Sequence, residues 1–396
     1  MTPREAFTVV DRCAHEPEID QLLMDVLRYP SPQTDRLESD PQIKKFIVEL
    51  VAPRLAGLTG SSGVIDAMGN LIWRLGGVGG GGLLLMGYAM TFPAASMQDP
   101  FSGARVDGEP LGIAGQCALG RGACEQKGAL AAMIYAAGIA ARARLPLRAP
   151  LILAVSLAGE TGRHDAAKFM LESDEIGARS AIVGLGTGNQ ICLGNKGRID
   201  IEIAVRGKAA HSSMPWKGVN AVDGFRRVME RLDRVPLGTS RHGLGDATLT
   251  VTQVRSGPEI SHTIPDSCRV VLDRRLLPGE DPDAAFRDIQ DALKEVAGFT
   301  IEATRGAVMY PSEVAENSAL ALAAAAANRE LTQKEAGFFY SPAALDAGFL
   351  NRHGIETIMF GPGDLRFAHT DQDAVALQEV RDAAKIYAAT ALQLLG

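Results

Sequence analysis

Gly197-Arg198-Ile199-Asp200-Ile201-Glu202-Ile203-Ala204-Val205-Arg206 places an apolar side chain at every second position from Ile199 to Val205. A period of two is the mark of a strand with one face buried and the other wet. Downstream, the spacing predicts a helix over 221–234, alternating strands over 247–254 and 269–276, and a helix over 282–296, the pattern closing near Thr304. The order β-α-β-β-α-β describes a compact α+β, ferredoxin-like sandwich with its helices on one face.

Outside this stretch the texture changes. Ile19, Leu22, Leu23, Val26 and Leu27 share one helical face, and a second amphipathic stretch covers 42–55. Residues 70–75, 83–87, 151–157 and 180–183 are short apolar runs bounded by turn residues, which suits buried strands. An Ala-rich helix over 127–144 lies among them, and after Asn317 come another Ala-rich helix, an apolar strand at 357–360 and a final helix. Such alternation predicts an α/β sheet. The expected organisation is a discontinuous α/β domain, 1–196 with 306–396, interrupted by an inserted domain at 197–305.

A chain of 396 residues can fill two cores. Its net charge of -7, with no basic stripe, argues against nucleic acid and for a small-molecule ligand. Residues 1–20 mix both charges without an apolar core, so they do not read as a signal peptide, and no apolar run reaches membrane-spanning length. Five cysteines without paired spacing predict free thiols in a reducing compartment, the cytoplasm by default.

Gly77, Gly79 and Gly82 satisfy GxGxxG but precede a strand, whereas a dinucleotide site needs a helix N-terminus behind the glycines. Gly184, Gly186 and Gly188 lead into an extended stretch and read as a loop. Three other stretches carry more chemistry: 120–128 with Glu125, 158–162 with Glu160, and 360–370 with His369. Ligands gather at the carboxyl edge of an α/β sheet, and two carboxylates with an imidazole there suit a zinc-like cation. Singly, each has an ordinary alternative, the acids as caps or ion-pair partners and the histidine as a packing residue.

Taken in order, these stretches resemble the M20 metallopeptidase family, zinc-dependent amide hydrolases that include acetylornithine and succinyl-diaminopimelate deacylases, aminoacylases and carboxypeptidases. The stretch 120–128 resembles the family's GRG-x-x-D-x-KG, 83–93 its strand ending in G-H-x-D-T-x-P, and 157–162 its D-E-E-x-G. Residues 207–221 resemble its insert-domain motif, 273–279 its D-x-R-x-x-P-G, and 360–370 its closing strand. The resemblance spans about Asp66 to Asp373. It implies a mixed-sheet catalytic domain of zinc-peptidase type with an inserted lid and dimerisation domain, and a homodimer.

Position by position, the resemblance implies a dinuclear site of which half is gone. The first ligand histidine falls on Tyr88, the aspartate that orients it on Met90, the general base on Gly159 and an acidic ligand on Leu185. The bridging aspartate becomes Glu125, and Glu160 and His369 survive. One divalent metal, zinc, is then expected on Glu125, Glu160 and His369. The resemblance further assigns oxyanion stabilisation to His211, reaching across the dimer, and a grip on a substrate carboxylate to Asn220 and Arg275, with His262 where the family has Asn. For Arg275 an ion pair with Asp273 is the alternative. Substitutes for the missing base are Glu125 if released from metal, His164 or Asp165, or Tyr88 as an acid and hydrogen-bond donor, with Cys124 as a thiol alternative. The expected function is hydrolysis of an amide or related C–N bond in a small carboxylate-bearing substrate; the alternative is a non-hydrolytic protein that binds an amino-acid-like ligand.

Overall fold

The computed structural model describes residues 1–77, 80–173, 176–239, 243–294 and 296–396. Gly79 of the glycine-rich run therefore lies outside the described residues. The chain divides into two compact units, one of Met1–Gly194, Glu313–Phe339 and Phe349–Gly396, the other of Asn195–Ser312 and Tyr340–Gly348.

The larger unit is built on a mixed sheet. Its parallel centre runs in the order Leu151–Ser156, Gly82–Tyr88, Ala178–Gly184, Glu356–Phe360. Leu71–Leu75 adds an antiparallel strand on one side and Ile191–Asn195 on the other. Every residue of Gly82–Tyr88 and of Leu151–Ser156 is buried, as expected for strands covered on both faces. The helix Gly128–Ala143 keeps residues 128–140 buried, so it is apolar all round and needs no wet face. Leu377–Leu395 packs beside it. A further helix begins at Pro3 with Thr2 and Glu5 in a reciprocal cap.

The second amphipathic stretch forms one helical run, Pro41–Lys45, a π turn Phe46–Val51, and Ala52–Thr59, which stops at left-handed Gly60. Because the central strands are parallel, their carboxyl ends share one edge. Tyr88 ends one strand there, Leu185 follows another, and the loops carrying Glu160 and His369 leave from the remaining two.

In the smaller unit four antiparallel strands run in the order Thr248–Gly257, Ser267–Leu276, Gly197–Arg206, Thr300–Met309. The helices Ala221–Leu232 and Pro282–Lys294 share a core with Ile199, Ile201, Ile203 and Val205. This is the ferredoxin-like order read from the sequence. The last strand runs past the expected end at 305, with a register shift between Arg305 and Val308. Tyr340–Gly348 also joins this unit, which the sequence did not suggest. Its end packs so closely that a Cβ on Gly348 would lie 1.8 Å from Tyr310 O.

Candidate metal centre

Glu125 sits on a π turn, Ala123–Lys127, that opens the buried helix. The turn starts from left-handed Gly122, where a Cβ would collide with the Thr91 side chain at 2.5 Å. Asp373 fixes it from below: its carboxylate accepts from Gly122 N at 2.7 Å, Cys124 N at 3.0 Å and Arg121 Nη1 at 3.2 Å. Burial pushes the Asp373 carboxyl up, and these donors pull it back down.

Glu160 lies in the turn after Leu151–Ser156, its carbonyl accepting from Gln33 Nε2 at 3.1 Å. Its Oε1 accepts from Gln126 Nε2. His369 has a φ of 62°, unusual for a side chain with a Cβ, and its ring stacks on Phe92 at 3.8 Å between centroids. Phe92 also meets the Arg121 guanidinium at 5.6 Å.

The three side chains converge. His369 Nε2 is 3.1 Å from Glu125 Oε2 and 3.6 Å from Glu160 Oε2, and one ligand atom from each residue lies within 4.8 Å of the others. Tetrahedral zinc with bonds of about 2.0–2.2 Å sets its ligand atoms about 3.3–3.6 Å apart, so this donor set fits such an ion with small adjustments. Hydrogen bonds donated to Glu125 and then to Glu160 hold the imidazole charged, pushing its pKa up to about 10. Burial raises Glu125, against the pull of His369. The same triad is also a self-sufficient ion-pair cluster.

Three of the positions read as lost are buried. Met90 is fully buried, and Tyr88 and Leu185 are nearly so. At Gly159, which is exposed, a Cβ would stand 2.5 Å from Met90 O, so a side chain there would require the Met90 backbone to shift. The other substitute bases are engaged: His164 is buried and stacks on Phe349 at 5.0 Å, and Asp165 pairs with Arg163 at 3.3 Å. Cys124 is buried and its pKa lies well above the usual thiol value because of burial, the wrong direction for a nucleophile.

Within the smaller unit, His211 and His262 face each other with ring centroids 5.8 Å apart. His211 Nδ1 lies 2.8 Å from Ser213 Oγ, and the pairing of His211 with Thr263 sets the neighbouring backbone. Asn220 caps the following helix, its Oδ1 accepting from Val222 N at 3.0 Å. Arg275 gives its fork to Asp273, Nε to Oδ1 at 2.8 Å and Nη2 to Oδ2 at 3.0 Å, which is the ion pair weighed above.

A discontinuous α/β sheet with a carboxylate–imidazole cluster at its carboxyl edge and an inserted βαββαβ unit together define a two-domain α/β architecture. Residues 193–300 match the peptidase dimerisation domain of the M20 family. Acetylornithine deacetylase of Myxococcus xanthus is 28% identical over 321 residues, 78% of this chain and 80% of that protein. Among solved structures, the M20 metallo-carboxypeptidase Sso-CP2 of Sulfolobus solfataricus superposes with a TM-score of 0.76 at 17% identity, covering 93% of this chain and 97% of that one. Aminopeptidase PepT of Bacillus cereus gives 0.75 at 18%, covering 96% and 99%. The chain thus carries an M20 peptidase dimerisation domain and shares its fold with M20 family peptidases.

Reading the sequence missed Gln126, Phe92 and Asp373 as parts of the centre. Gln126 and Asp373 lie one and four residues from Glu125 and His369, but only the fold shows what they touch.

Proposed function

We propose that the chain hydrolyses an amide or related C–N bond in a small carboxylate-bearing molecule, using one divalent ion, zinc, on Glu125, Glu160 and His369. The supporting observation is the convergence of one ligand atom from each of those three side chains. Three protein ligands leave a coordination position open, and zinc held so lowers the pKa of a bound water and polarises a carbonyl.

The chain's own groups do the rest. Glu125, buried and set against His369, takes the proton in place of the base missing at Gly159 once it is released from the ion. Tyr88 is a donor at the same strand edge. His211 works across a homodimer to steady the oxyanion, with His262 beside it. Asn220 and Arg275 bind the substrate carboxylate once Arg275 exchanges Asp273 for it. The homodimer is supported by the dimerisation domain and by apolar side chains left exposed on one loop, above all Trp216 at 76% with Met214 and Val219. Five free cysteines support a reducing location such as the cytoplasm.

A second reading, binding of an amino-acid-like ligand without turnover, is favoured by one observation: Gly159 carries no base, and a Cβ there would crowd Met90 O. A panel of N-acyl amino acids and dipeptides separates the two. Turnover abolished by His369→Ala supports hydrolysis, whereas saturable binding without turnover supports the second reading.

A further inference from the structure

Gln126 stands against the Glu160 carboxylate of the centre. It is 3% exposed, it follows Glu125 directly in sequence, and its Nε2 donates to Glu160 Oε1. Glu160 is thereby divided, one oxygen on the amide and the other, Oε2, turned to His369 at 3.6 Å. Reversing the amide would set its carbonyl oxygen against a carboxylate, so the orientation is dictated by the neighbours. That orientation leaves Gln126 Oε1 buried and, among the described residues, without a donor, a cost that packing alone does not explain.

We infer that Gln126 is a positioning residue of the metal centre: by occupying one oxygen of Glu160 it makes that carboxylate a single-oxygen ligand, and so selects a small four-coordinate ion over a larger cation. Zinc takes four ligands, whereas calcium takes six to eight oxygens and readily uses both oxygens of a carboxylate. An apolar side chain of similar length would free Glu160 to turn both oxygens inward. The inference rests on the metal-dependent reading above.

The test uses the full chain, stripped with a chelator and titrated separately with zinc and with calcium, for the wild type and Gln126→Met. Cobalt(II) is added in parallel as a spectroscopic probe of coordination number. Loss of an outer-shell partner typically weakens a metal by about 10- to 100-fold, and that is the expected loss for zinc, with calcium unchanged or tighter and the cobalt visible bands weaker. Gln126→Asn, which keeps an amide but draws it back from Glu160, should shift the zinc-to-calcium ratio the same way, and it serves if Gln126→Met does not fold. Unchanged zinc-to-calcium ratios and cobalt spectra, with only a lower melting temperature, would overturn the inference and leave the metal-dependent reading standing. No metal bound by the wild type would overturn both.

Discussion

His369 combines two properties that can be separated by substitution. Its imidazole is a candidate ligand, and its backbone has a φ of 62°, which glycine adopts without strain. His369→Gly should therefore abolish metal binding while leaving the melting temperature of the metal-free protein little changed; a comparable loss in folding would show that the ring mainly packs on Phe92. Gly159 offers the opposite case. A glutamate there cannot restore the base, because its Cβ meets Met90 O at 2.5 Å. Overpacking of this kind costs about 1–3 kcal/mol, so thermal denaturation of Gly159→Glu should show a lower midpoint with no gain in turnover. The three converging side chains were legible in the sequence because each lies in a short motif at a strand end. The crowding at Gly159 was not, since it depends on how near Met90 comes in space.

At the scale of elements, the π turn under Glu125 depends on a carboxylate some 250 positions away: Asp373 accepts from Arg121, Gly122 and Cys124. Arg121 is fully buried, and removing one partner of a buried ion pair costs about 3–5 kcal/mol. Asp373→Ala should lower the denaturation midpoint accordingly and weaken metal binding; a neutral result would mean that the turn holds itself. The C-terminal helix carries a pH signature. Glu379 in its first turn accepts from Gly363 N at 2.8 Å, and burial raises its carboxyl above 4.5. The folded state then binds more protons than the unfolded chain just above that pH, so this group's contribution is full below about pH 4.5 and is lost as the pH rises through the folded value. Glu379→Gln should flatten that part of a midpoint-versus-pH curve, and an unchanged slope would contradict it. The strands and helices were readable from periodicity, because buried parallel strands are apolar throughout and the insert alternates. The joining of Tyr340–Gly348 to the smaller unit was not, for contacts of a loop leave no period.

For the whole molecule, the discontinuous architecture was legible from the switch between two textures at Gly197, and the dimerisation domain matches that stretch. The dimer itself remains a matter of surface chemistry. Trp216 is 76% exposed on the loop that follows His211, and large aromatic side chains dominate interface energies. Trp216→Ala should shift the protein toward monomer in sedimentation or light scattering without changing its fold; a wild-type monomer at all concentrations would remove the role given to His211.

The measurement that bears most directly on the account is the metal-to-subunit ratio of the purified protein by elemental analysis, beside that of His369→Ala. The account predicts about one zinc per subunit, lost in the variant, in line with three ligands and an open position. Two metals per subunit, or none in either protein, would contradict it.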